Sequence, residues 1–129
     1  MLNPTAEQFK ALQNYPDNKP FIMINLLKFK NQGEKGDESG KNAYQRYALA
    51  VSAMLRKVGG RLLWMGYVEH LFIGMLDDQW DKVLLVEYPN KNAFIQMISA
   101  PEYEIVNKDR EAGLEKAVLL MSTQEYRDF

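Results

Sequence analysis

Apolar positions follow two patterns along the chain: short unbroken runs, and longer stretches in which they recur every three or four residues. The stretch Trp80 to Tyr103, WDKVLLVEYPNKNAFIQMISAPEY, contains both. Asp81 to Tyr88 carries Val83, Leu84, Leu85 and Val86 in succession, where a strand with one wet face would alternate apolar with polar. This predicts a strand covered on both faces. After Pro89, Asn90 is placed to cap a short helix holding Phe94, Met97 and Ile98. Ser99-Ala100-Pro101-Glu102 reads as a capping box for a second helix, with Tyr103, Val106, Arg110 and Leu114 on its inner stripe and Gly113 weakening its end.

The rest of the chain follows the same two patterns. Asn3 with Pro4, or Thr5 with Gln8, can cap a first short helix that Tyr15-Pro16 stops. Phe21 to Lys30 is a strand with Phe21, Met23, Asn25, Leu27 and Phe29 on one face and Ile22, Ile24, Leu26 and Lys28 on the other. Asn31 to Lys41, with three glycines and few apolar residues, reads as a surface loop, either a plain connection or a lid over a pocket. Tyr44, Tyr47, Ala48, Val51, Leu55 and Val58 then mark a helix with one apolar stripe, with Arg56 and Lys57 at its negative end and Gly59-Gly60 as a left-handed stop. Arg61 to Met75 reads as a long strand, with a bulge or bend expected at Gly66 and Gly74. Asp77-Asp78-Gln79 turns it back into the strand from Asp81, so these two should form a hairpin. Lys116 to Thr123, apolar on both sides, is the last strand.

Without the N-terminal helix the order is strand, helix, strand, strand, helix, strand. This is the α+β, ferredoxin-like arrangement, with helices on one side of a four-stranded antiparallel sheet. The other side is usually wet, yet these strands are apolar on both sides. An exposed apolar area of that size is an association site, and a second copy of the same sheet is its simplest cover, giving a homodimer through the open face of the sheet.

Composition adds mainly exclusions. A chain of 129 residues, long enough to bury roughly 65% of its unfolded surface, makes one domain, residues 1–129. The net charge of −1 offers no footprint for nucleic acid or acidic membranes. The chain has no cysteine, so disulfides, thiol catalysis and thiolate metal sites are out. It has one histidine and no acidic cluster at ligand spacing, so no metal and no cofactor is expected. No apolar run approaches the ~18 residues of a membrane span, and MLNPTAEQF has no secretory pattern, so a cytoplasmic location is the expectation. Glycine-rich phosphate loops, GxSxG and the aromatic pattern of RNA-binding sheets are missing.

GGRLLWMG, VLLVEYP, AFIQM, APEY and the helix with KDREAGL together resemble the DUF1330 family of the dimeric α/β barrel superfamily, over roughly residues 20 to 123. The spacing of EYP, APEY and Arg110 carries most of the likeness. Met97 and Ile98 stand where relatives often have a Trp-Tyr pair. The resemblance implies a homodimer with a sheet-on-sheet interface and a cavity in each subunit. Related families of the superfamily include cofactor-free monooxygenases, isomerases and haem enzymes, so it implies architecture rather than reaction.

Candidate chemistry sits at polar positions inside apolar patterns. Asn25 and Glu87 interrupt two strands that the topology makes neighbours, and a buried polar group without a partner costs about 1–3 kcal/mol. Arg110, on an inner stripe, is a natural partner for Glu87 or for an anionic ligand. Tyr44 and Tyr47 head the inner face of the long helix, as core residues or with hydroxyls in a cavity. Trp64 suits a dimer contact or a pocket wall, and Trp80, at the hairpin edge, an interface anchor. His70, the single histidine, is with Glu87 a weak candidate for proton transfer. Two functions fit: a homodimer that binds a small organic, possibly anionic, molecule and acts on it without a cofactor, or a non-catalytic ligand sensor or dimerisation module. In the first, Arg110 orients the anion, Asn25, Tyr44, Tyr47 and Trp64 contact the ligand, and Glu87 or His70 moves a proton.

Overall fold

The structure, a computed structural model, describes residues 2–31 and 39–129. Most of the expected loop or lid, residues 32–38, lies outside the described residues. Helix α1 spans Ala6–Gln13, β1 Phe21–Phe29, α2 Gly40–Lys57, β2 Arg61–Tyr67, β3 Lys82–Tyr88, α3 Lys91–Ser99, α4 Pro101–Gly113 and β4 Leu114–Ser122. The strands form one antiparallel sheet in the order β2-β3-β1-β4, the ferredoxin-like order, preceded by the extra helix α1.

Local chemistry sets most helix ends where the sequence places them. The α1 start uses the second of its two possible caps: the Thr5 hydroxyl accepts from Gln8 N–H at 3.0 Å, and the Gln8 side chain accepts from Thr5 N–H at 2.9 Å. Asn90 Oδ1 accepts from Ala93 N–H at 2.8 Å and starts α3. Gly59, at φ 84°, ends α2 in the left-handed region that favours glycine.

Four expectations are corrected. The box at Ser99 does not form, because Pro101 takes the first helical position, leaving Ala100 as N-cap with no side-chain bond and Ser99 in the last turn of α3. Strand β4 starts at Leu114 rather than Lys116, directly after α4. A Cβ on Gly113 would strike Gly40 O, and one on Gly40 would strike Gly113 O, so these two glycines let α2 and α4 approach backbone to backbone. Finally, β2 stops at Tyr67. Val68 N–H donates to Asp81 O at 3.0 Å, Asp81 N–H to Leu27 O at 2.8 Å, and Phe29 N–H to the Asp81 carboxylate at 2.8 Å, so Asp81 closes the end of the sheet. Residues 69–80 leave the ladder, and the β2–β3 hairpin therefore has a long connection. The irregularity in β2 falls between Leu62 and Trp64 rather than at Gly66, whose missing side chain makes room for the Trp64 indole.

The core lies between the sheet and the helices, around Phe21, Leu27, Leu114, Tyr88 and Phe94. Phe21 stacks on Tyr88 at 5.5 Å between ring centroids, and Phe94 meets Tyr88 edge-on at 4.9 Å. Arg46 of α2 binds Asp109 of α4 through Nε at 3.2 Å and Nη2 at 2.9 Å, fastening the two long helices together.

Candidate functional site: a cavity beneath the helices

Directly opposed residues of an antiparallel pair point to the same side of the sheet, so the register sorts the strand residues by face. One row on the helix side runs Met65–Leu84–Asn25–Leu119, and the next runs Tyr67–Lys82–Leu27–Ala117. The far side carries the rows Trp64–Leu85–Ile24–Leu120 and Gly66–Val83–Leu26–Val118, both apolar throughout. Both faces of the central strands are thus apolar, as their unbroken runs predict.

Between the helix-side face and the helices lies a cavity of about 1330 Å³. Its floor includes Met65, Leu84, Asn25 and Leu119, and Tyr44, Tyr47 and Tyr103 line its inner part. It opens along β2, where Met65 and Tyr67 are 54% and 57% exposed. This size accepts a small organic molecule.

Asn25 lies in the middle of the floor. Its Nδ2 donates to Met23 O of its own strand at 3.1 Å, which orients the amide. The Tyr47 and Tyr103 hydroxyls share a hydrogen bond of 3.0 Å across α2 and α4. Burial pushes the Tyr44 phenol up to about 12, with the Arg110 charge pulling the other way. Tyr47 lies well above its ordinary value, chiefly through burial and then through Tyr103, and burial also raises Tyr88. At neutral pH these are phenols that donate and accept hydrogen bonds; none is a phenolate base.

Arg110 is buried at the cavity's inner end, where Nη1 donates to Leu2 O at 2.7 Å and lies 3.5 Å from Asn3 Oδ1. It does not pair with Glu87. The period of two along β3 turns Glu87 to the far side of the sheet, where it accepts from Arg61 at 2.9 Å and pairs with Arg127 at 3.3 Å. Asn25 and Glu87, although on neighbouring strands, therefore face opposite ways. Trp64 is likewise on the far side, away from the cavity, and His70 lies in the exposed 69–80 connection with its ring edge-on to Phe72. Of the residues singled out in the sequence, Asn25, Tyr44, Tyr47 and Arg110 share the cavity, whereas Glu87, Trp64 and His70 do not. Trp80 packs beneath Lys116, whose Nζ is 4.5 Å from its ring centroid.

Three residues at the cavity mouth escaped the sequence reading. Lys41 of α2 holds its Nζ 4.6 Å from the centroid of the Tyr67 ring, and Lys82 of β3 holds its own at 5.5 Å. The hydrogen bond to Lys41 lowers the Tyr67 pKa, helped by the charges of Lys41 and Lys82. The only trace in the sequence is a lysine in the first turn of a helix, where positive charge is unfavourable. Among the described residues, no three histidine or carboxylate side chains come together to hold a metal ion.

Strand order, helices on one face and a cavity beneath them define a ferredoxin-like α+β domain. The chain belongs to the DUF1330 family, a domain of unknown function, whose pattern matches residues 37–124. It is similar to a protein of unknown function from Rhodopseudomonas palustris, with 31% identity, a TM-score of 0.90 and coverage of 98% of each chain. A dimeric ferredoxin-like protein of unknown function from Bacteroides fragilis shares the fold at 16% identity and TM-score 0.51, over 79% of this chain and 93% of that one. A dimeric ferredoxin-like protein from Thermobifida fusca does so at 11% and 0.53, over 86% and 96%. No curated protein matches the chain.

Proposed function

We propose that this protein binds a small, largely apolar organic molecule with one polar or anionic group in the cavity beneath its helices, and that it does so as a homodimer joined through the far side of its sheet. The observation that carries the binding reading is the asymmetry of the cavity. Its floor is apolar with a single oriented amide, Asn25, and its inner part offers neutral tyrosine hydroxyls. Such a lining accepts an apolar body and reads a few polar points.

Ligand binding or sensing is favoured over acid–base catalysis, because Glu87 and His70, the two residues proposed to move a proton, lie off the cavity. The far side of the sheet supports the dimer. Trp64 and Leu120 are about half exposed in an otherwise apolar row, and Phe72, Ile73 and Leu76 of the neighbouring connection are more than four-fifths exposed.

Calorimetric titration with octanamide, an uncharged eight-carbon probe, tests the cavity. The wild type is expected to bind it, and Met65→Trp, which fills the open edge at a half-exposed position, to bind at least about tenfold more weakly with an unchanged circular dichroism spectrum. Binding that the tryptophan leaves untouched would place the ligand elsewhere.

A further inference from the structure

We infer that Lys41, Lys82 and Tyr67 form an anion-recognition site at the cavity mouth, and that the ligand is an amphiphile whose carboxylate or phosphate head sits between the two ammonium groups while its apolar tail lies along the Met65–Leu84–Leu119 floor. The inference rests on the cavity being a binding site and names the class of molecule it takes. It also moves the anion contact away from Arg110, whose guanidinium already holds Leu2 O and Asn3.

The fold gathers positive charge at the cavity mouth. Tyr67 and Lys82 are directly opposed across β2 and β3, and both point to the helix side. Lys41 reaches the same ring from the first turn of α2. Two ammonium groups from separate elements thus stand 4.6 and 5.5 Å from one ring centroid. Among the described residues, neither has a carboxylate partner within salt-bridge distance. The end of α2 adds to the positive field, since its first turn contains no acidic residue to offset the helix dipole. The face of one phenol only partly compensates two cations. An anion between them would be bound by charge-assisted hydrogen bonds from both lysines.

The distances along the sheet match the rest of such a molecule. The row Met65–Leu84–Asn25–Leu119 lies two residues inward from Tyr67–Lys82, about 7 Å at the usual strand rise. A head group held at the lysines therefore sends the adjoining carbons over Leu84 and Met65, with the Asn25 amide within reach of a polar atom a few bonds along the tail. Lys41, Lys82 and Tyr67 all border the cavity, so head and tail sites are continuous.

Parallel titrations with octanoate, octyl phosphate and octanamide test this. Octanoate or octyl phosphate should bind the wild type about tenfold more tightly than octanamide, and whichever gains more identifies the head group. In the double variant Lys41→Gln/Lys82→Gln the advantage should vanish while octanamide affinity stays the same. Equal affinity of all three probes for the wild type, or a charge preference that survives the double variant, overturns the anion site and leaves the cavity standing. Failure of octanamide as well as the anions to bind removes the cavity reading and this one with it. A second measurement needs no lysine variant: the Tyr67 phenol, isolated by subtracting the alkaline absorbance titration of Tyr67→Phe from that of the wild type, should titrate higher when octanoate is saturating. A titration that octanoate does not move excludes an anion beside that ring.

Discussion

Arg110 and Glu87, opposite charges that one chain could have paired, stand on opposite sides of the same sheet. Arg110 donates to the Leu2 carbonyl at 2.7 Å beneath the helices, while Glu87 holds Arg61 at 2.9 Å and Arg127 at 3.3 Å on the far side. Glu87 is therefore not a group of the cavity, and it instead ties β2 and the C-terminal segment to β3.

This separation makes Glu87→Gln a structural change. The Glu87 side chain is 19% exposed, so losing its charge leaves two arginines without their partner. Urea unfolding should show a loss of about 1–2 kcal/mol, with octanamide affinity unchanged. A variant of full stability that no longer binds the probe would return Glu87 to the site.

Alkaline pH should weaken the fold through its buried tyrosines. Tyr44 is raised from 10.0 to about 12, and Tyr47 and Tyr88 are also raised by burial. Below pH 10 the phenols are protonated in both folded and unfolded chains and contribute no slope. Between pH 10 and 12 the unfolded chain releases protons that the folded one keeps, so stability falls as pH rises, by about 1.4 kcal/mol per pH unit for each such tyrosine. Denaturant titrations at pH 9, 10 and 11 measure the slope. Tyr44→Phe should make it shallower, and an identical slope in that variant would show that Tyr44 ionises as freely in the folded chain as in the unfolded one.

The far face of the sheet predicts the assembly. Ile24 lies in the row Trp64–Leu85–Ile24–Leu120, at the centre of that face on a central strand. Ile24→Asp puts a charge where a second sheet would cover it, so sedimentation velocity should shift from dimer to monomer with the far-ultraviolet circular dichroism kept. A wild type that sediments as a folded monomer at micromolar concentration would contradict the assembly directly.

Residue order by itself determined a good deal here. The apolar runs at Phe21–Phe29 and Val83–Val86 announced strands needing cover on both sides. Asn90, Thr5 and Gly59 marked helix ends, and the succession of elements led to the ferredoxin-like topology. These are local properties: a cap, a stop or a period depends on neighbours a few residues away. The tertiary structure decided which side of the sheet each polar residue faces, and with it the separation of Asn25 from Glu87 and of Arg110 from its supposed partner. It also set the end of β2, where Asp81 donates its N–H to Leu27 O and accepts from Phe29 N–H, more than fifty residues away in the chain. Lys41 and Lys82 converge on Tyr67 only because α2 and the β2–β3 register bring them there. In a sheet, a shift of one residue reverses every side chain, so the chemistry of a face depends on pairing between distant segments.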